Sequence, residues 1–380
     1  MFWKSKKAKQ EKKPISLARE WYNAVVFAVV VATLIRWGTV QAFVIPTPSM
    51  ENTLLVGDFL FVSKLHYGPQ TPRTPLQIPL THQKVFGIQT YLPWIQLPTY
   101  RFPGFSEIKR GHVIVFNVPP ASMNGGEVHP PDLKNNYVKR CVAIAGDMLE
   151  VTNKRVVVNG EPLPLTPGMK FSYLVTSRDE IHPRNFTALG LDGDDYYYMG
   201  RDNTNNAVYR MFLTESQVQS VKGLSFIRSF EEDRNDYSSP NEPLFPLKYA
   251  EGWTGDNYGP IWIPKKGATV VMNDSTLSLY GELIRDYEGN KNVEFANGKL
   301  TIDGKNLSTY TFAQDYYFMM GDNRHNSTDS RFPQVGYVPF ENIVGRAQLI
   351  FFSVHEGERA WEVWRWPFSV RWSRLFTIVR

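Results

Sequence analysis

The chain is poor in the residues that most often build covalent crosslinks and metal centres. Its 380 residues include a single cysteine, Cys141, which excludes a disulfide within the chain and a cysteine metal cluster. Cys141 lies in an apolar, strand-like run, so the sequence predicts a buried structural thiol and not a reactive one. The seven histidines show no spacing typical of a metal site, and no metal or other cofactor is predicted.

The chain also has little excess of either charge outside its first 20 residues. The net charge is +5, and residues 1–20 alone contain seven lysines and arginines against two glutamates. The rest of the chain is therefore balanced, which argues against an extended basic surface for nucleic acid. We interpret residues 1–20 as a basic cytoplasmic tail and predict no nucleic-acid partner.

Only one apolar segment reaches the length of a membrane span. A spanning helix needs about 20 residues, and residues 21–43 supply them if Arg36 extends its charged group to the membrane interface. The basic residues before the span predict a cytoplasmic N-terminus, with everything after the span on the outer side. Two alternatives stay open at this point: a cleaved signal peptide ending near Val40-Gln41-Ala42, and a buried core helix.

Beyond residue 43 the sequence favours short β-strands. Apolar or alternating runs are separated by turn signals that suit two-residue hairpins. These signals are Asn159-Gly160, Asn297-Gly298 and Asp303-Gly304. No long amphipathic helix is predicted after the span, and residues 69–105 and 215–260 are predicted to form extended surface loops.

The C-terminal segment has an unusual composition. Aromatic residues alternate with arginines there, which is typical of a segment that rests on a membrane interface. We therefore predict lipid contact for residues 356–380, with an aromatic edge of the protein core as the alternative. The aromatic residues are Trp361, Trp364, Trp366, Phe368, Trp372 and Phe376.

A serine and a lysine are the best candidates for catalysis. A serine hydroxyl is a poor nucleophile unless a base lies beside it. Lysine can serve as that base if burial lowers its pKa, and Lys139 lies in an apolar, strand-like run. A lone lysine in a strand usually faces solvent, so Lys139 gains weight only in combination with other motifs. A Ser-His-Asp triad stays possible, because its members can be far apart in sequence.

Four motifs together resemble those of the bacterial type I signal peptidases. The first contains Pro46-Thr47-Pro48-Ser49-Met50 and resembles the nucleophile motif of that family, and the third contains Tyr137-Val138-Lys139-Arg140 and resembles its lysine motif. Four motifs in this order behind an N-terminal span form a specific signal. They cover roughly residues 44–68, 109–160 and 311–350, whereas residues 161–310 match no motif of the family.

The resemblance implies a role for each matched residue. Ser49 would be the nucleophile, Lys139 the general base, and Ser327 would hydrogen-bond the lysine and orient it. The backbone N–H of Ser49 and the hydroxyl of Thr47 would form an oxyanion hole. A supporting ion pair and the walls of the substrate pockets complete the set: Asp329 and Arg331 for the pair, and Phe43, Ile45, Leu54, Val115, Tyr137 and Val138 for the pockets.

The resemblance also implies a fold and a location. We expect a mainly β protein, with an antiparallel β-sheet catalytic domain, an N-terminal transmembrane helix and a β-rich insertion. The catalytic domain would comprise residues 44–160 and 311–355, and the insertion residues 161–310. The expected function is a membrane-bound serine endopeptidase that removes signal peptides from exported precursors, so its partners would be those precursors and the lipid bilayer. The catalytic domain would lie on the periplasmic side of the bacterial cytoplasmic membrane.

The chain departs from the family pattern at several positions near these motifs. Pro48 replaces a usual small residue and stiffens its loop, and Asn52 replaces a common proline. His112 and His325 stand where aspartate is frequent. The alternatives from other classes are an inactive membrane-anchored homologue that acts as a scaffold, and a secreted β-rich adhesion protein with a cleaved signal.

Overall fold

Antiparallel β-sheets dominate the computed structural model, which describes residues 16–119, 129–233, 243–247, 249–296, 298–355 and 369–380. The largest sheet has eight strands in the order β1-β2-β22-β5-β6-β20-β21, with β23 paired to β22. All strand pairs of this sheet that the structure describes are antiparallel. The strands are β1 Val40–Val44, β2 Asp58–Ser63, β5 Val113–Asn117, β6 Asn136–Ala143, β20 Tyr316–Met320, β21 Val338–Pro339, β22 Ile343–Ser353 and β23 Thr377–Ile378.

Both faces of this main sheet are covered. All five residues of β5 are buried, and its four apolar residues alternate between two apolar clusters. Val113 and Val115 pack with Met50 and Leu54 on one face, whereas Ile114 and Phe116 pack with Cys141 on the other. The predicted buried thiol is thus confirmed, since Cys141 is fully buried and burial raises its pKa.

The predicted β-rich insertion forms smaller antiparallel sheets. One has the order β11-β12-β10-β13 and its own apolar core, and we call it the accessory sheet. A second has the order β14-β7-β8-β9 and joins β14 of the insertion to β7 and β8, which precede residue 161. It shares its apolar core with β6 and β20 of the main sheet. Their strands are β7 Met148–Thr152, β8 Arg155–Val158, β9 Glu161–Pro162, β10 Phe171–Ser177, β11 Tyr196–Arg201, β12 Ala207–Leu213, β13 Ile227–Glu232 and β14 Tyr258–Trp262.

The remaining strands form hairpins and a short ladder. Two of the predicted turns are confirmed: Asn159-Gly160 and Asp303-Gly304 connect paired strands, and all four residues have positive φ as this turn type requires. Asn297 of the third predicted turn lies outside the described residues. The strands are β3 Lys84–Val85, β4 Ile88–Gln89, β15 Thr269–Val271, β16 Val293–Ala296, β17 Lys299–Ile302, β18 Lys305–Leu307 and β19 Thr309–Thr311.

Two expectations about the insertion are wrong. An amphipathic helix, α4 Asp274–Asp286, is present; Asn273 caps it, and Tyr280, Leu283 and Ile284 are buried. Its serines, threonine and Gly281 masked the helical period of these apolar positions. The segment 215–260 is not a continuous loop either, because it contains α3 Glu215–Lys222, β13 and most of β14. The remaining described α-helix after the span is α2 Pro183–Ala188.

Residues 21–38 of the predicted membrane segment 21–43 lie in helix α1, Leu17–Gly38, which is 22 residues long. The last residues of that segment belong to β1 instead. Helix α1 is long and apolar enough to cross a membrane. None of its residues is buried against the protein, which contradicts the alternative of a buried core helix. Strand β1 begins at Val40, so the helix leads almost directly into the edge of the main sheet.

Part of the predicted lipid-contacting C-terminal segment is built into the main sheet. Strand β23 pairs with β22, Val379 is buried, and the guanidinium of Arg374 pairs with the buried carboxylate of Asp58. Trp372 and Phe376 are 59% and 72% exposed, so apolar surface is available there for lipid. Trp361, Trp364, Trp366 and Phe368 lie outside the described residues, and lipid contact by the segment stays a prediction.

Candidate active site

The proposed nucleophile lies on a short turn that the core holds in place. Ser49 is in the middle of a single 3₁₀ turn, Pro48–Met50, which follows β1. Pro48 suits the first position of such a turn because its φ is fixed and no N–H is needed there. Met50 and Leu54 are 1% and 0% exposed, so the turn is fixed from below. Ser49 keeps 9% of its surface exposed at the floor of a cleft.

Lys139 reaches this serine from strand β6. Its Nζ donates a hydrogen bond of 2.6 Å to Ser49 Oγ, although the two residues are 90 positions apart in sequence. Lys139 is only 4% exposed. Burial lowers the pKa of Lys139 to about 8, against the opposing charges of Asp329 and Asp322, which raise it. A lysine in this setting is neutral often enough near neutral pH to accept a proton from the serine.

Two buried ion pairs support the segments around the dyad. The Arg331 guanidinium binds the Asp329 carboxylate through two hydrogen bonds of 2.9 Å, as the resemblance predicted for these residues. Burial alone would raise the pKa of Asp329, but the charge and hydrogen bonds of Arg331 outweigh it and hold that pKa below its usual range. The second pair joins Arg140 to Asp322 at 2.8 and 2.7 Å.

The Arg140–Asp322 pair was missed from the sequence. Its members lie inside the lysine motif and the last motif, and that placement was the available signal. The Asp322 carboxylate also accepts a hydrogen bond of 2.5 Å from the Thr53 hydroxyl. The pair therefore ties the segment after Ser49 to β6 and to the loop that follows β20.

A glycine allows this loop to approach the nucleophile closely. A Cβ on Gly321 would lie 2.6 Å from the Ser49 carbonyl oxygen and 2.2 Å from Ser327 Oγ, which is too close for any side chain. Asn323 N–H, two residues later, donates to the same Ser49 carbonyl at 3.1 Å. Glycine at position 321 is thus required by packing and not by an unusual backbone conformation.

Ser327 lies at the cleft but does not form the predicted bond to lysine. Its Oγ is buried and has no hydrogen-bond partner within the described residues. It lines the same cavity as Ser49 and Lys139. The structure thus brings Ser327 to the site without the orienting contact, and its role stays a prediction.

The cleft above the dyad has a volume of about 500 Å³. Four of the predicted pocket residues line it: Phe43, Ile45, Tyr137 and Val138. Leu54 and Val115 do not, because both are 0% exposed and pack in the apolar cluster beneath the cleft. These two residues can shape the pocket only through the side chains they support.

Thr47 and the two unusual histidines take different places. Thr47 is exposed and lines the cleft, and its side chain makes no capping hydrogen bond to the turn. His325 accepts a hydrogen bond from Ser172 N–H at 3.0 Å and contacts Asp256 at 2.7 Å, so it links the last motif to the insertion. His112 contacts the Tyr67 hydroxyl at 2.7 Å, on the other side of the sheet.

The described residues contain no group of three or more histidine, cysteine, aspartate or glutamate side chains arranged to hold a metal ion. The groups that meet at the cleft are a hydroxyl, an amine of lowered pKa and apolar walls. This set suits nucleophilic attack on a carbonyl group by serine, with lysine as the proton acceptor.

Comparison with known proteins decides the family. A family model described as signal peptidase, peptidase S26, matches residues 18–218 and 263–352. The chain belongs to this family. The S26 match includes Ser49, Lys139, Asp329 and Arg331, and it extends into the accessory sheet. The family assignment supports a peptidase, and α1 supports membrane anchoring.

Several curated relatives of this S26 peptidase carry the name signal peptidase I. The Helicobacter pylori protein is 25% identical over 356 residues, which is 92% of this chain and 89% of the relative. The Haemophilus influenzae protein is 25% identical over 378 residues, or 99% and 80% of the two chains. The Buchnera aphidicola protein is 25% identical over 347 residues, or 91% and 77%.

Proposed function

We propose that the chain is a membrane-bound serine endopeptidase that removes N-terminal signal peptides from exported precursors through a Ser49–Lys139 dyad. The observation that carries this proposal is the hydrogen bond of 2.6 Å between Lys139 Nζ and Ser49 Oγ, made by a buried lysine at the floor of a cleft. The relatives named signal peptidase I supply the substrate class.

The mechanism follows from this geometry. Neutral Lys139 takes the proton of the Ser49 hydroxyl as its oxygen attacks the scissile carbonyl carbon. Lys139 then donates that proton to the leaving amine, which departs as the new N-terminus of the mature protein. A water molecule, activated by the same lysine, next attacks the acyl-enzyme and releases the signal peptide. The step needs no group beyond the chain and water.

Stabilisation of the oxyanion is assigned to two donors on the same turn. The Ser49 N–H and the Thr47 hydroxyl belong to one short segment, so both can face the carbonyl that Ser49 attacks. Thr47 lines the cleft and its hydroxyl is not used to cap the turn, which supports this assignment.

The cleft also favours a particular kind of substrate. Its two long walls are formed by residues 43–46 and 136–139, so an extended precursor can lie between two strand segments. The walls that Phe43, Ile45 and Val138 form are apolar, and the cavity is small. We infer a preference for small side chains at the first and third positions before the cut.

The proposed topology follows from the charge beside α1. The basic residues before the helix favour a cytoplasmic N-terminus, with the sheets on the outer side of the cytoplasmic membrane. Precursors emerge on that side with their apolar segments still in the bilayer. An active site only eleven residues beyond the last residue of α1, Gly38, suits such substrates.

A second apolar surface supports contact with the bilayer. Residues 75–106 contain no aspartate or glutamate. Phe86 at the tip of the β3–β4 hairpin is 99% exposed, and Trp94 is 80% exposed. This segment is joined to the end of α1, since Trp37 Nε1 donates to the Gln70 carbonyl at 2.6 Å and the Trp37 ring contacts Phe102. The segment that carries the patch thus contacts the end of the proposed span.

We expect Phe86→Ser together with Trp94→Ser to weaken vesicle binding by at least tenfold. Burying one large apolar side chain contributes about 1.5–3 kcal/mol. The measurement is flotation with anionic vesicles, using a chain that begins at residue 39, because α1 buries none of its residues against the protein. The control pair is Met199→Ser with Val271→Ser, whose native side chains are 54% and 63% exposed elsewhere on the surface. An equal loss of vesicle binding in the two double variants would contradict a specific lipid contact.

The proposed function is tested by cleavage of a purified precursor across a range of pH. We expect one cut, after a small residue, located by mass spectrometry of the mature N-terminus. Below its pKa of about 8 Lys139 is protonated and inactive, so the rate should rise about tenfold per pH unit and level off above that pKa. A rate–pH profile controlled by a group that titrates like histidine would contradict the proposal. Cuts at several unrelated sites in the precursor would contradict it as well.

A further inference from the structure

Three buried ionisable side chains lie beside the nucleophile turn and take no part in the mechanism above. Glu51 follows Ser49 by two positions and is 4% exposed, and Lys170 and Asp195 of the insertion are each 1% exposed. The Lys170 ammonium donates a hydrogen bond to Asp195 Oδ1 and lies 3.6 Å from Glu51 Oε2. The insertion therefore places a cation next to the segment that carries the nucleophile.

The backbone of Lys170 also hydrogen-bonds to the loop that follows β20. Its N–H donates to the Asp322 carbonyl at 3.0 Å, and its carbonyl accepts from Arg324 N–H at 3.0 Å. Asn323, between those two residues, donates its own N–H to the Ser49 carbonyl at 3.1 Å. One residue of the insertion thus contacts the nucleophile segment through its side chain and the supporting loop through its backbone.

The accessory sheet fixes where the Lys170 ammonium can sit. Asp195 ends the turn Gly193–Asp195, and its second carboxylate oxygen accepts the Asp192 N–H at 3.0 Å, which closes the turn as a capping box. Strand β11 begins at the next residue, Tyr196. The position of the Asp195 carboxylate is therefore set by the accessory sheet and not by the main sheet.

Glu51 depends on the ammonium for a compensating charge. Its Oε2 is buried without a hydrogen-bond partner within the described residues. Burial and the nearby Asp195 raise the pKa of Glu51 to about 7, and the charge of Lys170 opposes that change. Without the ammonium, two buried carboxyl groups would face each other, and the segment after Ser49 would move or take up a proton.

We propose that Lys170 is a positioning residue through which the accessory sheet fixes the nucleophile turn, by pairing with Glu51 and Asp195 and by holding residues 322–324 against Ser49. This inference rests on the proposed role of Ser49 as the nucleophile. A displacement of about 1 Å at a reacting group can cost about 100-fold in rate. Loss of a residue that positions Ser49 should therefore lower kcat more than it weakens substrate binding.

The test compares Lys170→Met and Asp195→Asn with a matched control in the full-length enzyme. Methionine keeps the length of the side chain without the charge, and Asp195→Asn keeps the shape of the anchor and a weaker acceptor. The control is Lys154→Met, whose native ammonium pairs at 3.0 Å with the exposed carboxylate of Glu232 in β13. We expect kcat on a precursor to fall about 100-fold in Lys170→Met and less in Asp195→Asn, with KM within threefold and the control unchanged.

Rates are expressed per folded molecule, with the folded fraction taken from thermal unfolding. If kcat per folded molecule is unchanged in Lys170→Met, or in Asp195→Asn should the methionine variant fail to fold, Lys170 is only a structural residue and the inference is wrong. Ser49→Ala is measured in the same series. Full activity in Ser49→Ala would remove the proposed function itself, whereas an inactive Ser49→Ala beside a fully active Lys170→Met removes this inference alone.

Discussion

Replacing either member of the dyad is expected to abolish cleavage and leave the fold intact. Ser49→Ala removes the attacking oxygen, and Lys139→Met removes the proton acceptor while filling the same apolar space. Loss of a serine nucleophile or of its base costs about 10⁶-fold in comparable enzymes. Because the two side chains share one hydrogen bond of 2.6 Å and act as a unit, the double variant should be little slower than either single variant.

The measurement is the rate of precursor cleavage, with circular dichroism as the check on folding. Ser63→Ala is the control, since Ser63 is also a largely buried serine, 8% exposed, and its hydroxyl pairs with the imidazole of His66 at 2.8 Å. We expect the control to keep its rate within a few-fold. Normal turnover by Lys139→Met would show that another group acts as the base, and strong activity in Ser49→Ala would remove the serine mechanism.

Asp329→Asn is expected to destabilise the protein by about 3–5 kcal/mol, the typical cost of leaving one partner of a buried ion pair without its counter-charge. The Arg331 guanidinium is 1% exposed, and the amide of Asn would offer it a weaker acceptor without the negative charge. The free energy of unfolding, measured in urea, reports this loss. Asp286→Asn is the control, because its native pair with Arg285 is 47% and 42% exposed and such pairs contribute about 1 kcal/mol or less.

The same substitution has a second, independent readout. The negative charge of Asp329 raises the pKa of Lys139 against the effect of burial. Removing that charge should lower the pKa of Lys139, so the midpoint of the rate–pH profile should move to lower pH in the folded fraction. A midpoint that moves upward would contradict the proposed proximity of this carboxylate to the base.

Much of the fold and of the site could be predicted from local patterns. The apolar span, the β-rich composition and the Asn159-Gly160 turn depend on short stretches of sequence, and the structure bears them out. Ser49 and Lys139 could be paired only because the motif order resembled a known family. Their contact joins strand β6 to a turn after β1, which no spacing rule specifies.

Other features depend on tertiary structure and were not predictable in this way. Leu54 and Val115 lie beneath the cleft and not in its wall. Val115 is on β5, which is covered on both faces, and an apolar residue there gives no sign of which face it joins. The two members of the Arg140–Asp322 pair are 182 positions apart in sequence. Lys170 lies in a segment without a family motif, and only the packing of the insertion against residues 322–324 gives it a place near Ser49.

The segment between α1 and Ser49 is short and limits how far the active site can lie from the end of the helix. Gly38 ends the helix and Val40 begins the edge strand of the main sheet. The proposed span is therefore joined to the sheet without a long linker. Residues 39–49, even fully extended at about 3.3 Å each, span no more than about 36 Å. In the proposed function, this length limits the distance between the bilayer and the cut, so we expect a precursor to be cut only where its cleavage site lies within that distance of the lipid.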